Sequence, residues 1–201
     1  MDRVWEDRWT KPVSPIMKKK EFYRRNLPHL QPQGEIFFVT WLLAGVRSSR
    51  KLSEYKIKID KKPGNIKPGN HFMKKPEIAQ AVADSINFWD KKRIDLYCYC
   101  IMSNHVHAVF RVFENDESGS PLYLQDIMKS IKNFSAKECN ALLGLKGQFW
   151  HHESYDHLVR DREELHRIIS YVLDNPVKAG LCKERKDWKW SYINPEYNEF
   201  M

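Results

Sequence analysis

Apolar and polar positions alternate with unusual regularity between Ile94 and Val112. Ile94 to Met102, with Tyr97 and Tyr99, reads as one strand, and Ser103-Asn104 supplies a bend. In the run that follows, Val106, Ala108, Phe110 and Val112 define an apolar face, while His105, His107 and Arg111 share the opposite face with Val109. So short a link favours an antiparallel pair over the long crossover that parallel strands need. Glu35 to Gly45, rich in Phe, Val, Thr and Trp, reads as a further strand, and Gln148 to Arg160 as another.

Helical spacing takes over elsewhere. Pro76-Glu77 opens a helix with Ile78, Val82, Ile86 and Trp89 on one side. Leu122 to Leu143 forms a second, with Leu124, Ile127, Ile131 and Phe134 expected inward and Lys129 and Lys132 outward. A third begins at Asp161, with Glu164 placed as in a capping box, carries Leu165, Ile168, Ile169 and Val172 inward, and is expected to stop near Asn175 because Pro176 follows. Strands paired by a tight bend and interrupted by single helices give an α+β fold, an antiparallel sheet with helices packed on it.

Residues 1–33 read as an irregular basic arm, residues 34–193 as one domain, and 194–201 as a polar tail. Within the domain, residues 48–75 form a basic loop insert, where Lys-Pro-Gly-Asn occurs at Lys62–Asn65 and again at Lys67–Asn70, a turn signal. Charge is uneven in a way that matches these divisions. Across the chain, 34 Lys and Arg stand against 26 Asp and Glu, a net +8. Residues 1–75 hold 18 of the cations and 7 of the acids, so the basic footprint lies in the first third, as expected of a protein that neutralises phosphates. In the arm, Lys18-Lys19-Lys20 and Arg24-Arg25 flank Phe22 and Tyr23, cations with aromatics that can stack on exposed bases.

Other classes recede. No apolar run reaches the roughly 18 to 20 residues of a membrane span, and the acidic start Met1-Asp2-Arg3-Val4-Trp5-Glu6-Asp7 is unlike a secretory signal, so a cytoplasmic protein is expected. Cys98, Cys100, Cys139 and Cys182 lack Cys-x-x-Cys spacing and read as reduced thiols.

Two places carry candidate chemistry. His105 and His107 are two apart on a strand, so both imidazoles face one way and can share a cation; hydrogen-bonded histidines beside a core are the bland alternative. Tyr171 and Asn175, four apart near the end of the third helix, lie on one flank at the edge of its apolar stripe, where a tyrosine can reach a cleft or simply sit at a boundary. His157 follows Asp156, but neighbours on a strand diverge, so no direct pair is expected and His157 stays unassigned.

Met102-Ser103-Asn104-His105-Val106-His107, Phe149-Trp150-His151-His152-Glu153-Ser154-Tyr155-Asp156-His157, Tyr171 to Leu181 and Asp187-Trp188-Lys189-Trp190-Ser191 occur in an order that resembles the REP-associated tyrosine transposases. These are single-tyrosine members of the HUH nuclease superfamily. Arg24-Arg25-Asn26-Leu27-Pro28-His29 and Phe37-Phe38-Val39-Thr40 are similar to that family's opening and first strand. The chain departs from the pattern at Ser103, where such proteins carry proline, and over residues 48–75.

The resemblance implies the ferredoxin-like palm of HUH nucleases, with the histidines on a central strand and the tyrosine helix nearby. It implies cleavage and rejoining of single-stranded hairpin DNA through a covalent 5′-phosphotyrosine. Tyr171 is then the nucleophile, and His105, His107 and Asn175 hold a divalent cation, Mg²⁺ or Mn²⁺. Arg24, Arg25, Lys132 and Arg160 are the candidate DNA contacts, from charge and position. Two imidazoles suit manganese or zinc better than magnesium on chemistry alone. Either a monomer or a homodimer is compatible with the sequence. The alternatives are a catalytically silent hairpin-DNA-binding regulator derived from a transposase, and a metal-dependent hydrolase of another class.

Overall fold

The structure, a computed structural model, describes residues 22–24, 28–46 and 70–200. Strands β1 (Phe22–Arg24) and β2 (Pro28–Leu30) pair antiparallel as a small ribbon. The arm expected to be irregular therefore contains regular backbone pairing before the sheet begins.

Five strands form the main sheet: β3 (Ile36–Leu43), β4 (Ile94–Ile101), β5 (His105–Val112), β6 (Trp150–Leu158) and β7 (Ser191–Ile193). Their order is β6-β3-β5-β4-β7, and every neighbouring pair is antiparallel. The histidine strand is thus the central one. Strands β4 and β5 are joined by the Ser103-Asn104 bend, whose ladder closes with the Met102 amide on the His105 carbonyl.

Among the described residues three α-helices cover this sheet: α1 (Pro76–Asn87), α2 (Leu124–Leu143) and α3 (Arg162–Lys178). Strand alternation divides the sheet between them. Phe37, Val39, Trp41, Val106, Ala108 and Phe110 pack with Ile78, Val82 and Ile86 of α1 and Ile127 and Ile131 of α2. On the other face Phe38, Val109, Cys98 and Cys100 pack with Leu165, Ile168, Ile169, Val172 and Leu173 of α3. Cys98, Cys100 and Cys139 are buried free thiols, and Cys182 is half-buried and free.

Three expectations need correction. Phe134 is 53% exposed, because the inward stripe of α2 passes through Ile131, Ser135 and Cys139 instead. Ser135 Oγ accepts from Trp150 Nε1 at 2.9 Å, a polar contact that ties α2 to β6. Pro176 does not end α3. Only one intrahelical bond, to the Val172 carbonyl, is lost to a proline there, and the helix runs one turn further to a Schellman end. Gly180 adopts φ +69°, its amide bonds the Val177 carbonyl at 2.9 Å, and the Leu181 amide bonds that of Pro176 at 2.9 Å. The segment after Trp190 is more than a polar tail. It adds β7 to the sheet edge and then buries Tyr197 against Tyr97, with ring centroids 5.2 Å apart.

Candidate functional site

His105 and His107 face α3 from the middle of the sheet, 7% and 4% exposed. Their Nε2 atoms converge to 3.1 Å. Each ring is oriented from behind. His105 Nδ1 lies 2.7 Å from Asn104 Oδ1, which only accepts, so Nδ1 carries the proton and Nε2 presents its lone pair. His107 Nδ1 lies 2.7 Å from the hydroxyl of Thr40, which stands opposite it on β3. Where that hydroxyl accepts, two lone pairs meet at 3.1 Å, a repulsive arrangement that a cation between them relieves. Where it donates, His107 Nε2–H donates to His105.

Burial depresses both imidazoles. His105 is pushed down to about 4, with the nearby His71 adding to the effect, and His107 falls well below the ordinary histidine value, with His105 adding to it. Both rings are therefore neutral near pH 7, the form that ligates metal. The fit to a divalent cation is that of two oriented nitrogen donors. Among the described residues no group of three or more His, Cys, Asp or Glu side chains gathers in ligating range.

Tyr171 stands beside His107. Its half-buried ring meets His107 edge-on at 5.6 Å between centroids, and meets Phe38 edge-on at 6.0 Å. Phe38 stacks in turn on His107 at 5.7 Å, so a single aromatic side chain buttresses both. Lys178 Nζ approaches the Tyr171 ring face at 5.7 Å. Asn175, one turn on and 7% exposed, donates its side-chain amide to the Tyr171 carbonyl at 2.7 Å. That bond uses the nitrogen of the carboxamide and not its oxygen.

The remaining candidates disperse. Arg24 ends β1 opposite Pro28, and Arg25 lies outside the described residues. Arg160 is exposed just ahead of α3. Lys132 does not stand outside α2 as expected: its ammonium donates to the carbonyls of His151 and His152 at 2.8 and 3.1 Å and to Ser154 Oγ at 3.2 Å, binding α2 to β6. A cleft of about 800 Å³ opens there, lined by Gln125, Lys129, Asn133, His152 and Asp156, on the sheet face away from the histidines.

Sequence reasoning missed the orienting groups. Thr40 was legible only as one polar residue in an apolar strand, and its role depends on the β3–β5 register. His71 lies outside every motif, yet its Nδ1 sits 2.8 Å from Ser103 Oγ at the turn that leads into the histidines.

Comparisons with known proteins bear on the fold and on what the chain resembles. No family model matches the chain. Over 97 residues it is 27% identical to a putative REP-associated tyrosine transposase of Haemophilus influenzae, covering 46% of this chain and 54% of that protein. Over another 97-residue match it is 25% identical to a REP-associated tyrosine transposase of Escherichia coli K12, covering 48% of this chain and 53% of that protein. This chain is similar to REP-associated tyrosine transposases. The match spans about half the length of each of these curated relatives. A solved REP-associated tyrosine transposase bound to a REP hairpin superposes with a TM-score of 0.51 at 19% identity, over 84% of this chain and 80% of that one. That transposase shares the fold described above, a five-stranded antiparallel sheet with helices packed against it.

Proposed function

We propose that this protein is a metal-dependent single-strand DNA endonuclease and strand transferase that acts on hairpin DNA through Tyr171. The observation that carries the reading is the contact of Tyr171 with His107, 5.6 Å between ring centroids, His107 being one of two converging imidazoles. A binding protein needs neither a buried, neutral histidine pair nor a tyrosine held against it. The similarity to named tyrosine transposases and the basic first third of the chain support the same substrate class.

The Tyr171 oxygen attacks the scissile phosphorus, its proton leaves to solvent, and the bond from phosphorus to the 3′ oxygen breaks as that oxygen takes up a proton from solvent. A free 3′-hydroxyl and a 5′-phosphotyrosine result. Because the aryl oxide is a competent leaving group, a second 3′-hydroxyl can reverse the step and join strands without an external energy source. His105, His107 and the Asn175 amide oxygen would hold the cation, which when bound polarises a phosphate oxygen. Asn104 and Thr40 keep the imidazoles aimed, and Phe38 holds the Tyr171 ring beside them. The Tyr171 and His107 rings meet within one chain.

The test is a labelled REP hairpin oligonucleotide with single-stranded flanks, incubated with the protein and Mg²⁺ or Mn²⁺ and resolved on a denaturing gel. A covalent adduct that disappears with EDTA and in the His105→Gln/His107→Gln variant is expected. Specific hairpin binding without an adduct in either metal would point to a silent DNA-binding regulator instead.

A further inference from the structure

His157 belongs to no part of the chemistry above, yet its ring is held by a largely buried partner. It lies on β6 opposite Phe38, on the face that α3 covers. Its Nε2 sits 3.0 Å from Glu164 Oε1, and the two side chains are only 15% and 8% exposed. An ionised carboxylate only accepts, so the ring nitrogen donates. The second oxygen, Oε2, accepts from the Arg160 amide at 2.7 Å, while the Glu164 amide donates to Asp161 Oδ1 at 2.7 Å. This is half of a capping box: Asp161 caps α3 as its spacing suggested, but the glutamate turns away from the cap to reach the sheet. Asp156, the neighbour in sequence, has no part in this contact.

The position of Glu164 on α3 makes the contact consequential. Residues 164, 168, 171 and 175 lie within about 60° of one another on a helix at 100° per residue, so Glu164, Ile168, Tyr171 and Asn175 form one stripe. Aliphatic packing alone, here through Leu165, Ile168, Ile169, Val172 and Leu173, leaves a helix some freedom of roll on a sheet, since such contacts are non-directional. A directional hydrogen bond at the first turn removes that freedom for the residues two and three turns on. The geometry points to the His157–Glu164 pair as a latch that sets the roll of α3 and so places the Tyr171 ring against His107. His157 and Glu164 are in this sense positioning residues, and the inference rests on the proposed role of Tyr171.

Three variants of the full chain test it. His157→Phe keeps the bulk and loses the donor; His157→Gln keeps a side-chain N–H able to reach the carboxylate; Glu164→Gln retains the reach while weakening the acceptor. Adduct formation on the labelled hairpin oligonucleotide should slow roughly ten- to a hundred-fold in His157→Phe, the scale of an ångström-level misplacement, with hairpin affinity and thermal midpoint changed far less. His157→Gln should recover most of the rate, and Glu164→Gln should fall between them. A second readout is independent of activity: the nuclear Overhauser contact between the Tyr171 and His107 ring protons should be present in wild type and His157→Gln and lost in His157→Phe. Persistence of that contact in His157→Phe, or a glutamine variant as slow as the phenylalanine one, overturns the latch. A wild type that forms no adduct defeats the nuclease reading instead, and the ring contact still decides the latch.

Discussion

The two faces of the sheet are built from alternate residues of the same strands, yet they solve different problems. Under α1 and α2, β5 contributes Val106, Ala108 and Phe110, and β3 contributes Phe37, Val39 and Trp41, all essentially inaccessible. Under α3, the alternate positions supply His105, His107, Thr40 and Phe38. The first face holds the fold by apolar burial, about 1.5–3 kcal/mol for each large side chain removed from water. The second face buries imidazoles, a hydroxyl and carboxamides, and can do so only because each is hydrogen-bonded. A one-residue slip in β5 would exchange the two sets, so the register that stabilises the protein is also what builds the site.

The sharpest way to break this division is Phe110→Ala. A fully buried ring lost from the apolar face should cost about 3–5 kcal/mol, read as a lower urea midpoint with unchanged slope. Acid should act through the other face. The unfolded chain protonates His105 near 6.5, whereas burial holds the folded value at about 4, so between these values the unfolded state binds more protons. Stability should therefore be level above about pH 6.5 and decline as pH falls toward 4, and His105→Gln should flatten that slope in urea titrations taken at each pH. Thr40→Val is nearly isosteric and strips His107 of its hydroxyl partner. It should cost about 1–3 kcal/mol and weaken Mn²⁺ binding, measured calorimetrically, by about 10- to 100-fold. Smallest of all, Phe134→Gln on the exposed flank of α2 should move the thermal unfolding free energy by no more than about 0.5 kcal/mol.

The same contrast explains which elements were readable from the sequence. Period-two alternation from His105 to Val112 announced both faces of β5, and the Ser103-Asn104 bend announced its antiparallel partner. Local signals failed where tertiary context outweighed them. Pro176 carries a helix-stop signal, but Gly180, with its left-handed backbone, is what ends α3. Phe134 fits an i+3 step from Ile131, yet Ser135 occupies the inward position because Trp150 needs an acceptor there. Strand β7 spans three residues and exists because the β4 edge is there to pair with it; Asn194 then anchors the tail with its side chain on the Leu96 carbonyl. At the site, the histidines and Tyr171 could be singled out in advance. Thr40 behind His107 and Glu164 behind His157 could not, since both contacts arise from pairings between segments distant in sequence or across a strand-to-helix turn.

No helix among the described residues is long and apolar enough to cross a membrane. The chemistry proposed for the α3 face rests on Tyr171, and Tyr155 is a genuine competitor: it sits opposite Thr40 on β6 and meets the same Phe38 ring edge-on at 6.2 Å. The decisive measurement is therefore to trap the protein on a hairpin oligonucleotide in Mn²⁺, digest it with protease and nuclease, and locate the phosphorylated residue by tandem mass spectrometry. The nucleotide remnant should be found on Tyr171 and be absent from Tyr171→Phe; a remnant on Tyr155, or none on any tyrosine, would contradict the account.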